Sequence, residues 1–228
     1  MEADSYNKQR FTYPICNLYY DTDDNHLIRT SLSKPLYKEK LRLRSYGRQE
    51  LTSKVYIEIK KKFRGTVNKR RSAIRLIDAY GFVESGELPE LQPCMNAQVL
   101  REIEYLLSQR ELKPKVWLSY ERRAFFSSGN SDLRVSFDTN ILTRRGDLRL
   151  ESDIYGEALL PRDTWLMEIK SASNFPLWLS RLLSEHGIFP VSFSKYGTEY
   201  AQTLTVPPRE RKTKQSEGLT CLIPLSAR

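Results

Sequence analysis

Lys38-Glu-Lys-Leu-Arg-Leu-Arg-Ser-Tyr46 sets Lys40, Arg42 and Arg44 on one side of an extended chain and Leu41 and Leu43 on the other, and Gly47 ends the run. Val55-Tyr-Ile-Glu-Ile-Lys-Lys-Lys62 repeats the pattern, with Glu58, Lys60 and Lys62 opposite Val55, Ile57 and Ile59. Successive side chains of a strand point to opposite faces, so a period of two means a strand with one apolar side. Later segments obey the same rule. Arg134, Ser136 and Asp138 alternate with Leu133, Val135 and Phe137, and Glu168 and Lys170 alternate with Trp165, Met167 and Ile169. Strand after strand has an apolar face and a face rich in Arg and Lys.

Around these runs the chain reads as mixed α and β. Ile15–Tyr20 is a predicted strand closed by the turn-forming Asp21–Asn25, and Leu27–Leu32 a short helix. Asn68 is expected to cap a helix to about Tyr80, stopped by Gly81, with a loop from Gly81 to Pro93. Asn96 should cap a second helix to about Glu111, since Val99, Leu100, Ile103, Leu106 and Leu107 follow helical spacing. Strands are predicted over Lys115–Phe126, Leu133–Asp138, Asp147–Ser152 and Trp165–Lys170. Asn174 should cap a third helix through His186, with Pro176 in its first turn and Gly187 ending it. The Pro207-Pro208 pair opens a polar tail, residues 207–228, expected to be disordered.

The chain has 228 residues, 37 Lys and Arg against 28 Asp and Glu, and a net charge of +9. At 39% hydrophobic and 29% charged it has a globular rather than a disordered composition. It contains no run of roughly 18 apolar residues, so no membrane-spanning helix is expected, and Met1–Arg10 lacks the apolar core of a secretion signal. The expected location is cytoplasmic. Cys16, Cys94 and Cys221 are odd in number and far apart, which excludes a disulfide scaffold and a CxxC zinc site. With only His26 and His186, any metal must be held by carboxylates, which favours Mg²⁺ or Mn²⁺.

A charged strand face ordinarily points to water. Here, however, basic residues occupy successive same-face positions, where they repel one another. The predicted amphipathic helices also need apolar strand faces to cover. Helices outside a closed sheet would turn the charged faces inward, giving a barrel with a cationic lumen that an anion must occupy. Glu58 and Glu168 then either pair with neighbouring cations or hold a divalent ion against phosphate oxygens. No P-loop, GxGxxG or HRD-type motif is present.

At these residues the sequence resembles the polyphosphate polymerase (VTC) domain of the vacuolar transporter chaperone family, within the CYTH-like triphosphate tunnel metalloenzymes. The matching segments are Asn17-Leu-Tyr-Tyr-Asp-Thr22, Lys40-Leu-Arg-Leu-Arg-Ser-Tyr-Gly47, Tyr56-Ile-Glu-Ile-Lys-Lys-Lys62 and Lys69-Arg-Arg71. Tyr120-Glu-Arg-Arg-Ala-Phe125, Leu133-Arg-Val-Ser-Phe-Asp-Thr139, Leu166-Met-Glu-Ile-Lys170 and Ser194-Lys-Tyr-Gly197 follow in family order. The resemblance implies an α+β fold, an antiparallel β-barrel forming a triphosphate tunnel with helices outside, over residues 1–206. Family members begin with a further strand and helix, and by that measure this chain is expected to lack them and to leave a sheet edge open.

The implied reaction transfers the γ-phosphate of ATP to a growing polyphosphate chain, with Mn²⁺ or Mg²⁺ as cofactor. In that reading Lys60, Arg122 and Arg134 act in catalysis and Glu168 binds the metal. Lys40, Arg42, Arg44, Lys62, Lys69, Arg71, Lys170 and Lys195 hold substrate. A triphosphatase passing the phosphate to water, or a non-catalytic domain binding polyphosphate or inositol phosphates, would use the same electrostatics. Nucleic acid is not expected as a partner: the basic residues share faces with carboxylates, and no RRM, KH or helix-turn-helix module is recognisable.

Overall fold

The computed structural model describes residues 1–4, 11–127, 133–172, 174–205 and 221–222. Its strands are β1 (Glu2–Ala3), β2 (Tyr13–Asp21), β3 (Tyr37–Ser45), β4 (Lys54–Phe63), β5 (Thr66–Arg75), β6 (Lys113–Phe126), β7 (Leu133–Arg144), β8 (Glu157–Ala158), β9 (Trp165–Ser171) and β10 (Cys221–Leu222). Its helices are α1 (His26–Leu32), α2 (Leu76–Ser85), α3 (Ala97–Gln109), α4 (Leu177–Glu185) and α5 (Lys195–Thr205). Ladders join the strands in the order β10-β9-β7-β6-β2-β3-β4-β5, with β1 beside β6 and β8 beside β7. The pairs β2–β3, β3–β4, β4–β5, β7–β9 and β1–β6 are antiparallel; β10 lies parallel to β9. The α+β class and the antiparallel sheet are those the resemblance implies, and the alternating runs over residues 38–45, 55–62, 133–138 and 165–170 are strands, as their period predicts. No helix among the described residues is long and apolar enough to cross a membrane.

The chain divides into two compact units. One comprises Ile15–Ser119 and Thr143–Glu157. In it Leu41, Leu43, Val55, Ile57, Ile59 and Ile74 are at most 1% exposed. α2 and α3 pack against β4 and β5, and α3 anchors there through Glu102, bonded to Lys61 at 2.8 Å and Arg70 at 3.1 Å. Each fully buried Leu or Ile contributes about 1.5–3 kcal/mol, so this apolar face fixes the register that presents the charged one. The other unit comprises Met1–Pro14, Tyr120–Leu142 and Ala158–Arg228. Leu133, Val135, Met167 and Ile169 form its core with Leu179 of α4, flanked by Phe137, Leu183 and Ile188.

Four expectations need correction. Residues 66–75 are strand β5, not a helix capped by Asn68, and the helix begins at Leu76 and runs through Gly81 to Ser85. Phe63 pairs with Thr66, and Arg64 and Gly65 between them have φ of 46° and 88°. Two residues with positive φ make the hairpin turn whose twist matches that of the strands. Asn96 does cap α3, its Oδ1 accepting from the Val99 amide at 3.2 Å.

Residues 147–152 form no strand. Arg144 gathers carbonyls of this loop and its continuation instead, donating to those of Asp147 at 2.9 Å, Arg149 at 3.2 Å, Asp153 at 3.3 Å and Tyr155 at 2.8 Å, while stacking on Trp117 and Tyr155. The guanidinium, itself buried, takes these carbonyls as acceptors, and the segment is held by one side chain rather than by a ladder. At α4 the cap is Pro176, not Asn174, and no side chain bonds to the helix end. Finally, Cys221 and Leu222 of the expected tail pair with Trp165 and Leu166, while residues 206–220 and 223–228 lie outside the described residues.

Candidate functional site

Directly opposed residues of an antiparallel ladder share a face, so the registers of β2 to β5 arrange the charged side chains in rows. Lys38 faces Lys62, which faces Val67; Lys40 faces Lys60, which faces Lys69. Tyr19 faces Arg42, then Glu58, then Arg71. Asn17 faces Arg44, then Tyr56, then Ala73. Adjacent strands lie about 4.8 Å apart, so the second row sets three ammonium-bearing side chains abreast, with Glu58 of the neighbouring row reaching Lys69 at 3.1 Å.

Glu58, 1% exposed, is the counter-ion of this face. Its Oε2 accepts from Arg42 Nε at 2.8 Å and Nη2 at 2.6 Å. Its Oε1 lies 3.1 Å from Lys69 Nζ. Arg42 Nη1 donates to the Tyr19 hydroxyl at 2.9 Å. Arg44 Nε donates to Asn17 Oδ1 at 2.9 Å, and Asn17 Nδ2 donates in turn to the Leu118 carbonyl at 3.2 Å. Arg71 stacks on Tyr56. The two arginines are thus held in place by protein acceptors.

Burial alone would raise the Glu58 carboxyl, but Arg42, Arg44 and Lys69 hold it down at about 2. Burial pushes the Lys40 ammonium down to about 8, helped by Lys60, Lys38 and Arg42 and opposed by Tyr19. Lys69 also falls to about 8, through burial and then Arg42 and Arg44, against the pull of Glu58. Two consequences of opposite sign follow. Between about pH 8 and 10.5 the unfolded chain binds more protons at these lysines than the native one, so their contribution to stability rises with pH. A polyanion held by these two ammonium groups would lose that attraction over the same interval, so tripolyphosphate affinity should fall. Tripolyphosphate titrations and urea melts from pH 7 to 10 check this; affinity independent of pH across that range would contradict it.

The second unit carries its own cluster. Asp138, fully buried, accepts from Arg122 Nε at 2.6 Å and Nη2 at 2.8 Å, and from Lys195 Nζ at 2.6 Å. Burial would raise its carboxyl, but Lys195 and Arg122 hold it below the usual carboxylate range. Lys195, the first residue of α5, also sits over the Tyr120 ring. Glu168 lies 3.1 Å from Lys170 and 3.8 Å from Arg122, and these cations outweigh its burial and keep it ionised. Arg134 faces Lys170 across the ladder, reaches Asp4 at 3.4 Å and stacks on Phe126. Its buried Nε has no hydrogen-bond partner among the described residues.

Among the residues predicted from sequence, Lys40, Arg42, Arg44, Lys60, Lys62, Lys69 and Arg71 share the face of the first unit. Arg122, Arg134, Glu168, Lys170 and Lys195 gather in the second. Asp138, Asn17 and Tyr19 were not singled out. Asp138 stands in the alternating run of β7, but its partners lie 16 and 57 residues away, where no local pattern reaches. No group of three or more His, Cys, Asp and Glu able to hold a metal occurs among the described residues. Glu168, its side chain 24% exposed, is a carboxylate of the type that could hold a hard cation.

The model of the VTC domain matches residues 1–204. Vacuolar transporter chaperone complex subunit 4 of Schizosaccharomyces pombe is 24% identical over 221 residues, covering 80% of this chain, and the chain spans 30% of that protein's length. Among solved structures, a putative adenylate cyclase from Bacillus halodurans aligns with TM-score 0.49 at 15% identity, covering 83% of this chain and 82% of that one. A putative adenylyl cyclase from Hippeastrum, described as having a dominant triphosphatase activity, aligns with TM-score 0.48 at 18% identity, covering 84% and 83%.

Proposed function

The chain belongs to the VTC domain family, and on that premise we propose that it is a metal-dependent polyphosphate polymerase. In the reaction the terminal oxygen of a polyphosphate chain attacks the γ-phosphorus of ATP. A new P–O bond forms, the bond to the β-phosphate oxygen breaks, and ADP leaves. The observation that carries this reading is the row Lys40–Lys60–Lys69. Three cations abreast repel one another, and a chain of phosphates is a ligand that turns the repulsion into binding energy.

The residues divide the work. Lys40, Lys60, Lys62 and Lys69 hold phosphate oxygens, while Arg42 and Arg44, fixed by Glu58, Tyr19 and Asn17, orient them, with Arg71 alongside. In the second unit Arg122, Arg134, Lys170 and Lys195 neutralise negative charge, and the Arg134 Nε, without a hydrogen-bond partner among the described residues, is a donor for a phosphate oxygen. Phosphoryl transfer asks little more of a protein than positioning and charge stabilisation. Glu168 would hold Mn²⁺ or Mg²⁺, which when bound polarises phosphate oxygens. Residues 1–206 form the catalytic domain in this reading.

Incubation with ATP and Mn²⁺, followed by electrophoresis, tests it. A ladder of polymer is expected. Free phosphate alone would mean a triphosphatase, and tripolyphosphate binding without turnover would mean a binding domain. Glu168→Gln should lower metal-dependent turnover by roughly 10²-fold or more, yet leave metal-free polyphosphate binding nearly intact because the cations remain. A variant that keeps its Mn²⁺ dependence and rate would make Glu168 merely an ion-pair partner.

A further inference from the structure

The strand that presents Asn17 and Tyr19 to the basic face turns Leu18 and Tyr20 the other way, into a cavity of about 770 Å³. It lies within the first unit, walled by the second half of α2, the end of α3 with the chain leading into β6, and the loop gathered by Arg144. Leu18, Val83, Leu107, Leu112, Pro114 and Leu148 supply an apolar lining. That volume falls in the range that encloses small organic ligands.

The charges at the lining largely satisfy one another. Lys113 pairs with Glu111 at 3.0 Å and with Asp23 at 2.8 Å. Arg149 pairs with Asp147 at 2.8 Å. Tyr80 donates to Glu151 at 2.8 Å and accepts from the Leu150 amide at 2.8 Å. Glu84 and Arg110 add one charge of each sign. Tyr20 is the exception: it is 4% exposed, and its hydroxyl meets no hydrogen-bond partner among the described residues. Burial, then Tyr80 and Glu151, keep that phenol protonated, so it has a proton to donate. An anion is disfavoured beside Glu151 and near the carbonyl ends of α2 and α3.

We propose that this cavity is a second ligand site, for an uncharged, mainly apolar small molecule presenting one hydrogen-bond acceptor to the Tyr20 hydroxyl. The site is independent of the phosphate chemistry and lies on the opposite face of β2. The probe is prodan, a neutral naphthalene fluorophore with a single ketone, titrated into the full chain and read by its emission shift. Saturable one-to-one binding is expected. Tyr20→Phe, which keeps the ring, should weaken it by about fivefold, the worth of one net hydrogen bond. Leu107→Trp, and independently Leu148→Trp, should fill the space and weaken it by at least about twentyfold. Thermal melts and tripolyphosphate binding report whether each variant is folded. Saturating tripolyphosphate should leave the prodan signal unchanged. Absence of saturable binding, an affinity untouched by both filling variants, or displacement by tripolyphosphate would each overturn the proposal.

Discussion

Asp138→Asn should cost about 3–5 kcal/mol of unfolding free energy, the expected penalty for stripping the counter-ion from buried cations. Arg122 and Lys195 converge on this carboxylate, and the amide would leave both with a neutral acceptor where their side chains are only 10% and 14% exposed. The pH dependence identifies the mechanism. Because the native carboxyl is held below its ordinary value, its contribution is complete above the unfolded pKa of about 4 and drains away as pH falls through the native one. Urea melts at pH 7 should therefore show a large gap between wild type and variant that narrows on acidification. A gap constant down to pH 3 would mean that lost packing, not lost charge, destabilises the variant.

Glu58→Gln should separate binding from turnover. Glu58 faces Arg42, Arg44 and Lys69. Two of these, Arg42 and Lys69, have side chains 20% and 41% exposed. Solvent screens them, so the expected loss of stability is about 2–3 kcal/mol, below the fully buried case. Removing a negative charge from a cationic face should strengthen the phosphate binding proposed for it. A unit charge a few ångströms away is worth about 1–4 kcal/mol between the aqueous and protein-surface limits, so tripolyphosphate should bind at least about fivefold more tightly. Arg42, freed from its two bonds to Glu58, no longer presents a fixed fork, and turnover should fall. Calorimetry and steady-state rates on the same preparation read both effects. Weaker tripolyphosphate binding by Glu58→Gln would show that Glu58 serves the ligand directly rather than through its arginines.

What the sequence makes legible follows from range. Alternation is a property of neighbouring residues, and it places Lys40, Arg42, Arg44, Lys60 and Lys62 on one face of β3 and β4. The Asn96 cap is equally local. Residues 66–75 mislead because Ile74, Leu76 and Ile77 also fit helical spacing, and Asn68 is a good cap. The deciding signal is the turn at Arg64-Gly65, whose arginine is not one of the residues that usually mark such turns. The run from Asp147 to Ser152 alternates like a strand, yet Arg144 takes its carbonyls. Asp138, joined to residues in β6 and α5, becomes visible only once the chain is folded.

The two charge clusters differ in how far the chain must travel to build them. The Lys40–Lys60–Lys69 row belongs to consecutive strands, two of them joined by a two-residue turn. Such a meander closes short loops and assembles on the microsecond scale of hairpins. The Asp138 cluster waits for residues 122, 138, 168 and 195 to meet, a search whose longest loop costs about 1 kcal/mol more in closure entropy. During folding the lysines are therefore brought abreast early, at a cost in repulsion that dissolved anions relieve. On the function proposed above, a polyphosphate-rich surrounding would act on the nascent chain as a folding aid before it served the finished protein as a substrate.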